Sequence, residues 1–296
     1  MKNHHAKLGN NNTKGVRVYI YGKHALTEAL LQKPDAVKKV YLAAHMDDAK
    51  LRALIKKHTI PVAPLAAGKG GPEGVSGSVV HQGVIGVVST NALTMSYQKF
   101  IDTLTIGKDT VLLVLGEVQD PHNVGAIIRS AAAFGASGVL IPEHNQASIT
   151  GAVVKVSAGM AFRVPLVQIG NVNHTITDLK KRGFWVYGLA GETVLDSADG
   201  KMRIGADEKT RMGADRELRI HADKGSTQNI SDEQFDEPTV FVVGNESLGI
   251  REKTREACDK LLSIPMHPKC ESLNVAASTA VALYAWARQH PDALKK

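Results

Sequence analysis

Cysteine, aromatic rings and long apolar runs are all scarce in this chain. There are two cysteines, Cys258 and Cys270, with no CxxC pair. That excludes a disulfide framework and a zinc site built on paired thiols, and it suits a reducing, cytoplasmic setting. Aromatic residues make up 5% of the sequence, so a sheet that stacks bases on its rings is not expected. No apolar run reaches the roughly 18–20 residues that cross a bilayer. The opening stretch MKNHHAKLGNNNTKG has no apolar h-region, so a secretory leader is not expected there. His4 and His5 within it read as part of a solvated tail. Two nucleotide signatures are missing as well. The Gly-rich stretch AAGKGGPEGVSG lacks GxxxxGK[ST], and LGEVQDPHNVG lacks GxGxxG. The second absence argues against a dinucleotide-dependent oxidoreductase.

What is present begins with 296 residues and 43% hydrophobic content, enough for two domains with real cores. The net charge is +7, and its distribution is uneven. Residues 1–90 hold 13 Lys/Arg against 5 Asp/Glu, an excess of 8 positive charges; residues 91–296 hold 23 against 24. A basic module joined to a near-neutral one is the footprint of a nucleic-acid-binding domain serving a second domain.

The first module, 16–90, reads as a small α/β unit. RVYIYG, VKKVYLAA, IPVAPL and VVHQGVIGVVS are strand candidates, and KHALTEALLQ and DDAKLRALIKKH are amphipathic helices. Arg17, Lys23, Lys38, Lys39, His81 and Gln82 are its expected nucleic-acid contacts. Residues 91–110 read as a polar helix and linker. From 111 onward, apolar runs such as VLLVLGEV, GVLI, FRVPLVQI, FWVYGLA, TVFVVG and LLSIPM alternate with helical patterns, among them ASITGAVVKVSAGMA and REKTREACDK. That alternation predicts a parallel α/β sheet whose ligands bind at the carboxyl ends of its strands.

Three polar clusters fall at such ends: GEVQDPHNVG, GNESLG and HPKCESLN. Asn123 is placed to cap or enter a helix, and Gly125 keeps that helix close-packed. Arg129 follows among Ala126, Ile127, Ile128 and Ala131, where a guanidinium needs an anionic partner or an open site. Glu246 is a loop carboxylate able to hold substrate or pair with Arg129. Asn274 stands where a helix N-cap belongs. Residues 196–238 fit none of this. They carry 18 charged positions in 43 and a repeat of period 8, RIGAD, RMGAD and RIHAD, and they read as a mobile insertion.

Taken in order, DPHNVGAIIRSAAAFGASGVLI, VFVVGNESLGI and LSIPMHPKCESLNVAASTAVALYAW resemble the SpoU/TrmH branch of the SPOUT methyltransferases. YGKHALTEALL and HQGVIGVV are similar to the ribosomal-protein-like domain that precedes the catalytic domain in the 23S ribosomal RNA guanosine-2′-O-methyltransferases. The resemblance implies transfer of a methyl group from S-adenosylmethionine to a ribose 2′-OH of RNA, with no metal. It also implies a trefoil-knotted domain, a homodimer, and a cofactor bent into the knot. Cofactor contacts would fall at Leu189, Ala190, Gly191, Gly244, Ile264 and Leu273, and catalytic positions at Asn123, Arg129, Glu246, Ser272 and Asn274. A transfer-RNA methyltransferase or a non-catalytic assembly factor are the alternatives. The sequence departs from the family at Ser247, where a glycine is usual, at the 196–238 insertion, and at Ala276 and Ala277.

Overall fold

The computed structural model describes residues 17–65, 82–190, 227–267, 269–270 and 272–295, and these form two compact units, 1–93 and 94–296. The period-8 repeat lies outside the described residues.

In the first unit, strands β1 (Arg17–Tyr21), β2 (Val37–Leu42), β3 (Val62–Pro64) and β4 (Val84–Ser89) form one sheet in the order β1-β4-β2-β3. Helix α1 (Lys23–Gln32) buries Ala25, Leu26, Ala29 and Leu30. Helix α2 (Ala49–Lys57) starts at Asp48, whose carboxylate accepts the Leu51 N–H at 3.0 Å. The proline-limited β3 takes an edge, where the missing donors cost nothing.

The second unit is an eight-stranded sheet, every pair parallel, in the order β10-β12-β9-β11-β6-β7-β8-β5. Its strands are β5 (Thr94–Ser96), β6 (Val111–Leu115), β7 (Gly138–Pro142), β8 (Leu166–Ile169), β9 (Trp185–Leu189), β10 (Thr227–Asn229), β11 (Thr239–Val243) and β12 (Lys260–Ser263). All five residues of β6 are fully buried, as continuous apolar runs must be when helices cover both faces. Helices α3 (Tyr97–Thr103), α4 (Pro121–Ala133), α5 (Gly151–Val156), α6 (Val172–Lys181), α7 (Glu252–Ala257) and α8 (Val275–Ala287) flank it. No helix among the described residues is long and apolar enough to cross a membrane.

Three expectations change. The stretch 91–110 holds its expected helix, α3, but is more than a linker: β5 pairs with β8, and α3 buries Phe100 and Ile101 against the sheet. The expected insertion ends too late. Residues 227–238 return to the fold because β10 pairs with β12, and Phe235 packs edge-on against Tyr187 and Phe241 at 5.3 and 5.6 Å. Glu233, also inside that stretch, is buried and paired, accepting from Tyr187 at 2.8 Å and bridging Lys260 at 3.0 Å. The helix expected over ASITGAVVKVSAGMA is short, because Ala158 and Gly159 both take positive φ and end it. Of the two places open to Asn123, the structure takes entry: Asp120 caps α4 and Pro121 holds its first position. Asn123 therefore sits in the first turn with its amide free for other partners.

Candidate functional site

The sheet order decides which loops meet. Successive strands β6, β7 and β8 run one way from the centre, whereas β9, β11 and β12 lie on the other side. Ligands in open parallel sheets collect at the carboxyl ends beside such a reversal. There, the ends of β9, β11 and β12 enclose a cleft of about 260 Å³. Of the expected cofactor contacts, Leu189, Ala190, Gly244, Ile264 and Leu273 line it; Gly191 lies outside the described residues. Glu246 and Ser272 line it as well. The lining combines aliphatic side chains with loop backbone and a few polar groups, the usual make-up of a small-molecule site.

The 244–249 loop is fixed from within. Asn245 and Gly249 exchange backbone hydrogen bonds, both 2.9 Å, and the Asn245 carboxamide oxygen accepts the Ser247 and Leu248 N–H groups at 2.9 and 3.1 Å. Its Nδ2 donates to the Glu117 carbonyl at 3.0 Å, tying the loop to the end of β6. Only Gly249 needs a positive φ here, so Ser247 is accommodated where a glycine is usual. Sequence reasoning missed Asn245, although an Asn opening a turn is an Asx-turn signal. It also missed Met266 and Ser278, which line the cleft. Ser278 lies one turn beyond Asn274 on the same face of α8, a spacing that could have pointed to it.

Three expected catalytic residues form one chain of contacts. Glu246 accepts from Asn123 Nδ2 at 3.1 Å and from the Asp120 and Gln119 N–H groups at 3.2 and 3.4 Å. Asn274 Nδ2 donates to Asn123 Oδ1 at 3.0 Å, while Asn274 Oδ1 caps α8 through Ala276 and Ala277. Asn274 thus both caps α8 and holds Asn123. The structure does not bring Arg129 to Glu246. Arg129 projects from the exposed face of α4, away from Val124, Ile127, Ile128 and Ala131, and has no ion pair among the described residues. Its expected burden of apolar burial is therefore absent. Gly125 behaves as expected: a Cβ there would stand 2.7 Å from Val156 Cβ.

Partial burial alone would raise the Glu246 pKa, but the Asn123 amide and the backbone N–H donors outweigh it and hold the carboxyl below the ordinary carboxylate range. A depressed carboxylate stabilises the loops above its unfolded pKa, and that contribution is lost as pH falls through the folded value. Cofactor affinity should therefore be flat from about pH 6 to 9 with respect to this group and decline only in acid. Titration calorimetry across that range, on the wild type and Glu246→Gln, checks it. An inflection near neutrality present only in the wild type would contradict the assignment.

The expected RNA contacts do not form one cluster. Arg17, Lys38 and Lys39 lie at the amino ends of β1 and β2, whereas Lys23 and Gln82 sit beyond the carboxyl end of β1. Lys23 pairs with Asp48 at 3.7 Å, and Lys38 donates to the Asp35 carbonyl at 2.7 Å. His81 is outside the described residues. Among those residues no group of three His, Cys, Asp or Glu side chains could hold a metal ion.

Comparison with known proteins adds to this geometry. The model of the SpoU rRNA methylase family matches residues 110–284, and that for RNA 2′-O ribose methyltransferase substrate binding matches 19–93. The 23S rRNA (guanosine-2′-O-)-methyltransferase RlmB of Nitrosomonas europaea is 32% identical over 92% of this chain and 92% of its own. The protein of the same description from Pseudomonas syringae is 32% identical over 91% and 95%. Among solved structures, the SpoU methyltransferase AviRb of Streptomyces viridochromogenes, in complex with AdoMet, superposes with a TM-score of 0.69 at 21% identity, covering 96% of both chains. The AdoMet-bound rRNA methyltransferase of Sinorhizobium meliloti gives 0.65 at 20% identity over 93% and 87%.

Proposed function

The chain belongs to the SpoU rRNA methylase family, enzymes that transfer a methyl group from S-adenosylmethionine to an RNA ribose 2′-OH, and we propose that its target is a guanosine of 23S ribosomal RNA. The observation that carries the reading is the convergence of the 189–190, 244–249, 264–266 and 272–275 segments on one cleft, with Glu246, Asn123 and Asn274 hydrogen-bonded beside it.

S-adenosylmethionine, when bound, supplies a methyl group on a sulfonium, so the departing thioether is neutral and needs no proton. Leu189, Ala190, Ile264 and Leu273 would hold its adenosine, and the backbone at Gly244 its polar edge. The chain's remaining task is to orient the ribose hydroxyl and stabilise the charge that grows on its oxygen. Arg129 suits the second role. A guanidinium with a pKa above about 12 stays charged and is a poor base, so it acts on the developing alkoxide electrostatically. Ser272 and Asn274 would position the RNA phosphate or that guanidinium. Glu246 is reassigned: its carboxylate is committed to the 119–123 segment, so it sets the shape of the site rather than pairing with Arg129.

Arg129 stands away from the cleft of its own chain, and this supports a homodimer. The outer faces of the packed pair α4 and α8 expose Ala133, Ala277, Val281 and Tyr284, the last half exposed. Exposed apolar groups on helices that also carry an arginine with no ion pair among the described residues suit burial against a second copy. The trefoil knot is part of the same proposal. It is supported by α8 returning from the far side of β9 to pack on α4 at the sheet centre. A cytoplasmic site of action follows from an RNA substrate and two free thiols.

Labelled S-adenosylmethionine incubated with 23S ribosomal RNA fragments and with transfer RNA tests the reaction and its target. The expected outcome is incorporation into a 23S fragment, mapping to the ribose of one guanosine. Incorporation into transfer RNA alone would move the target, and cofactor binding without any transfer would favour an assembly factor.

A further inference from the structure

The first unit leaves one face of its sheet without a helix among the described residues. The β1-α1-β2 and β2-α2-β3 connections both join parallel strands and step in the same direction across the sheet. Right-handed crossovers then put α1 and α2 on the same face. Gly86 marks that side: a Cβ on it would stand 2.9 Å from Ile20 and 3.1 Å from Leu26 of α1. Register assigns the opposite face. Tyr19 and Lys39 flank Val87, and Tyr21 and Tyr41 flank Ile85, with Arg17 opposite Ser89 at the margin. Three of the six tyrosines in the chain therefore share one face of one small sheet, around a buried pair of aliphatic side chains.

The spacing and charge of this face are those of a stacking surface. Alternate residues on a strand are about 7 Å apart, and β1 and β2, separated by β4, roughly 10 Å apart. Those intervals suit successive unpaired bases on an extended strand. Lys39 Nζ lies 4.8 Å from the Tyr41 ring centroid, and Arg17 is exposed, so cations border the rings where a backbone would run. Burial, and then the neighbouring Tyr19, push the Tyr21 hydroxyl upward, so it carries no charge to oppose phosphate. Rings that accept any base, edged by cations, recognise single strands without reading sequence.

We propose that the Tyr19, Tyr21 and Tyr41 face, with Arg17 and Lys39, is the docking platform for an unpaired segment of the substrate RNA. It rests on the reading of the chain as an RNA methyltransferase and names the feature of the RNA that the first unit holds. It also reverses the expectation drawn from the low aromatic content: few rings suffice when the register gathers half the tyrosines.

Fluorescence anisotropy on the full-length protein, with one short RNA probe single-stranded and one folded as a hairpin duplex, tests it. Tyr21→Leu and Tyr41→Leu should each weaken single-strand binding about tenfold, the loss of one stacked base. Duplex binding should fall far less, and Tyr41→Phe should bind as the wild type does. Tyr41→Trp gives an independent reading, since the emission of the introduced indole should be quenched by the single strand. Wild-type affinity in both Leu variants, equal losses for single strand and duplex, or an indole left unquenched in Tyr41→Trp would each overturn the platform. S-adenosylmethionine binding in the same variants should be unchanged. If that binding and the tyrosine-dependent RNA affinity persist while no RNA is methylated, the proposed reaction fails and the platform stands.

Discussion

Arg129→Lys is expected to lower methyl transfer by about 10²–10³-fold, the usual cost of removing one preorganised electrostatic group, with S-adenosylmethionine affinity unchanged. The two halves of this expectation come from different observations. Affinity should hold because Arg129 lines no part of the cleft and holds no other element in place among the described residues. The rate should fall because lysine keeps the charge but concentrates it on one ammonium, losing the planar fork that grips a phosphate and an alkoxide together. Single-turnover transfer with saturating cofactor and RNA measures the rate, and calorimetry the affinity. A near-wild-type rate would remove Arg129 from the chemistry. Mixing Arg129→Lys chains with chains defective only at Asn274 adds the dimer question. Recovered activity in the mixture would mean that the two residues act from different subunits.

Gly244→Ala should abolish measurable cofactor binding, a loss of more than about 100-fold. A Cβ at this position would overlap the Gly249 carbonyl carbon and the Ile250 nitrogen. Neither is a flexible side chain. Both belong to a backbone closed by the paired Asn245–Gly249 hydrogen bonds, so relief requires opening the loop that forms one wall of the cleft. Overpacking commonly costs about 1–3 kcal/mol, and more where only backbone can yield. Gly107→Ala is the control, since a Cβ there meets nothing within 4 Å. Calorimetry and thermal melting on both variants check the prediction; retained cofactor affinity in Gly244→Ala would show that the wall adapts.

These two glycines show where sequence reading stopped. Both appear in loops, and although the resemblance marks Gly244 as a cofactor contact, nothing local shows which of the two lacks room for a Cβ. Gly244 is constrained by residues five and six positions later that fold back onto it, a fact of the loop's closed shape. Asn123 is a similar case. Its neighbourhood allowed a cap or an entry position; Asp120 and Pro121 took the helix start and left Asn123 to Glu246 and Asn274. Phe235 was lost in a charged segment because burial comes from Tyr187 and Phe241 across the sheet, and no short window of sequence contains all three. Arg129 took the open setting that its sequence allowed. Its apolar neighbours in sequence point to other sides of the helix, and its own side faces outward.

By itself, the sequence determined the class of fold, the basic first module, and three polar clusters at strand ends, because periodicity, composition and strand-to-loop boundaries are local properties. The motif order also named the family and its reaction. Tertiary structure decided the strand order, and with it everything that depends on non-local pairing. It brought the ends of β9, β11 and β12 to one cleft. It committed Glu246 to the 119–123 segment and separated Arg129 from it. Register then gathered three scattered tyrosines onto a single face. Each is a juxtaposition of residues far apart in the chain, fixed by which strands pair and in what register, and no single segment carries that information.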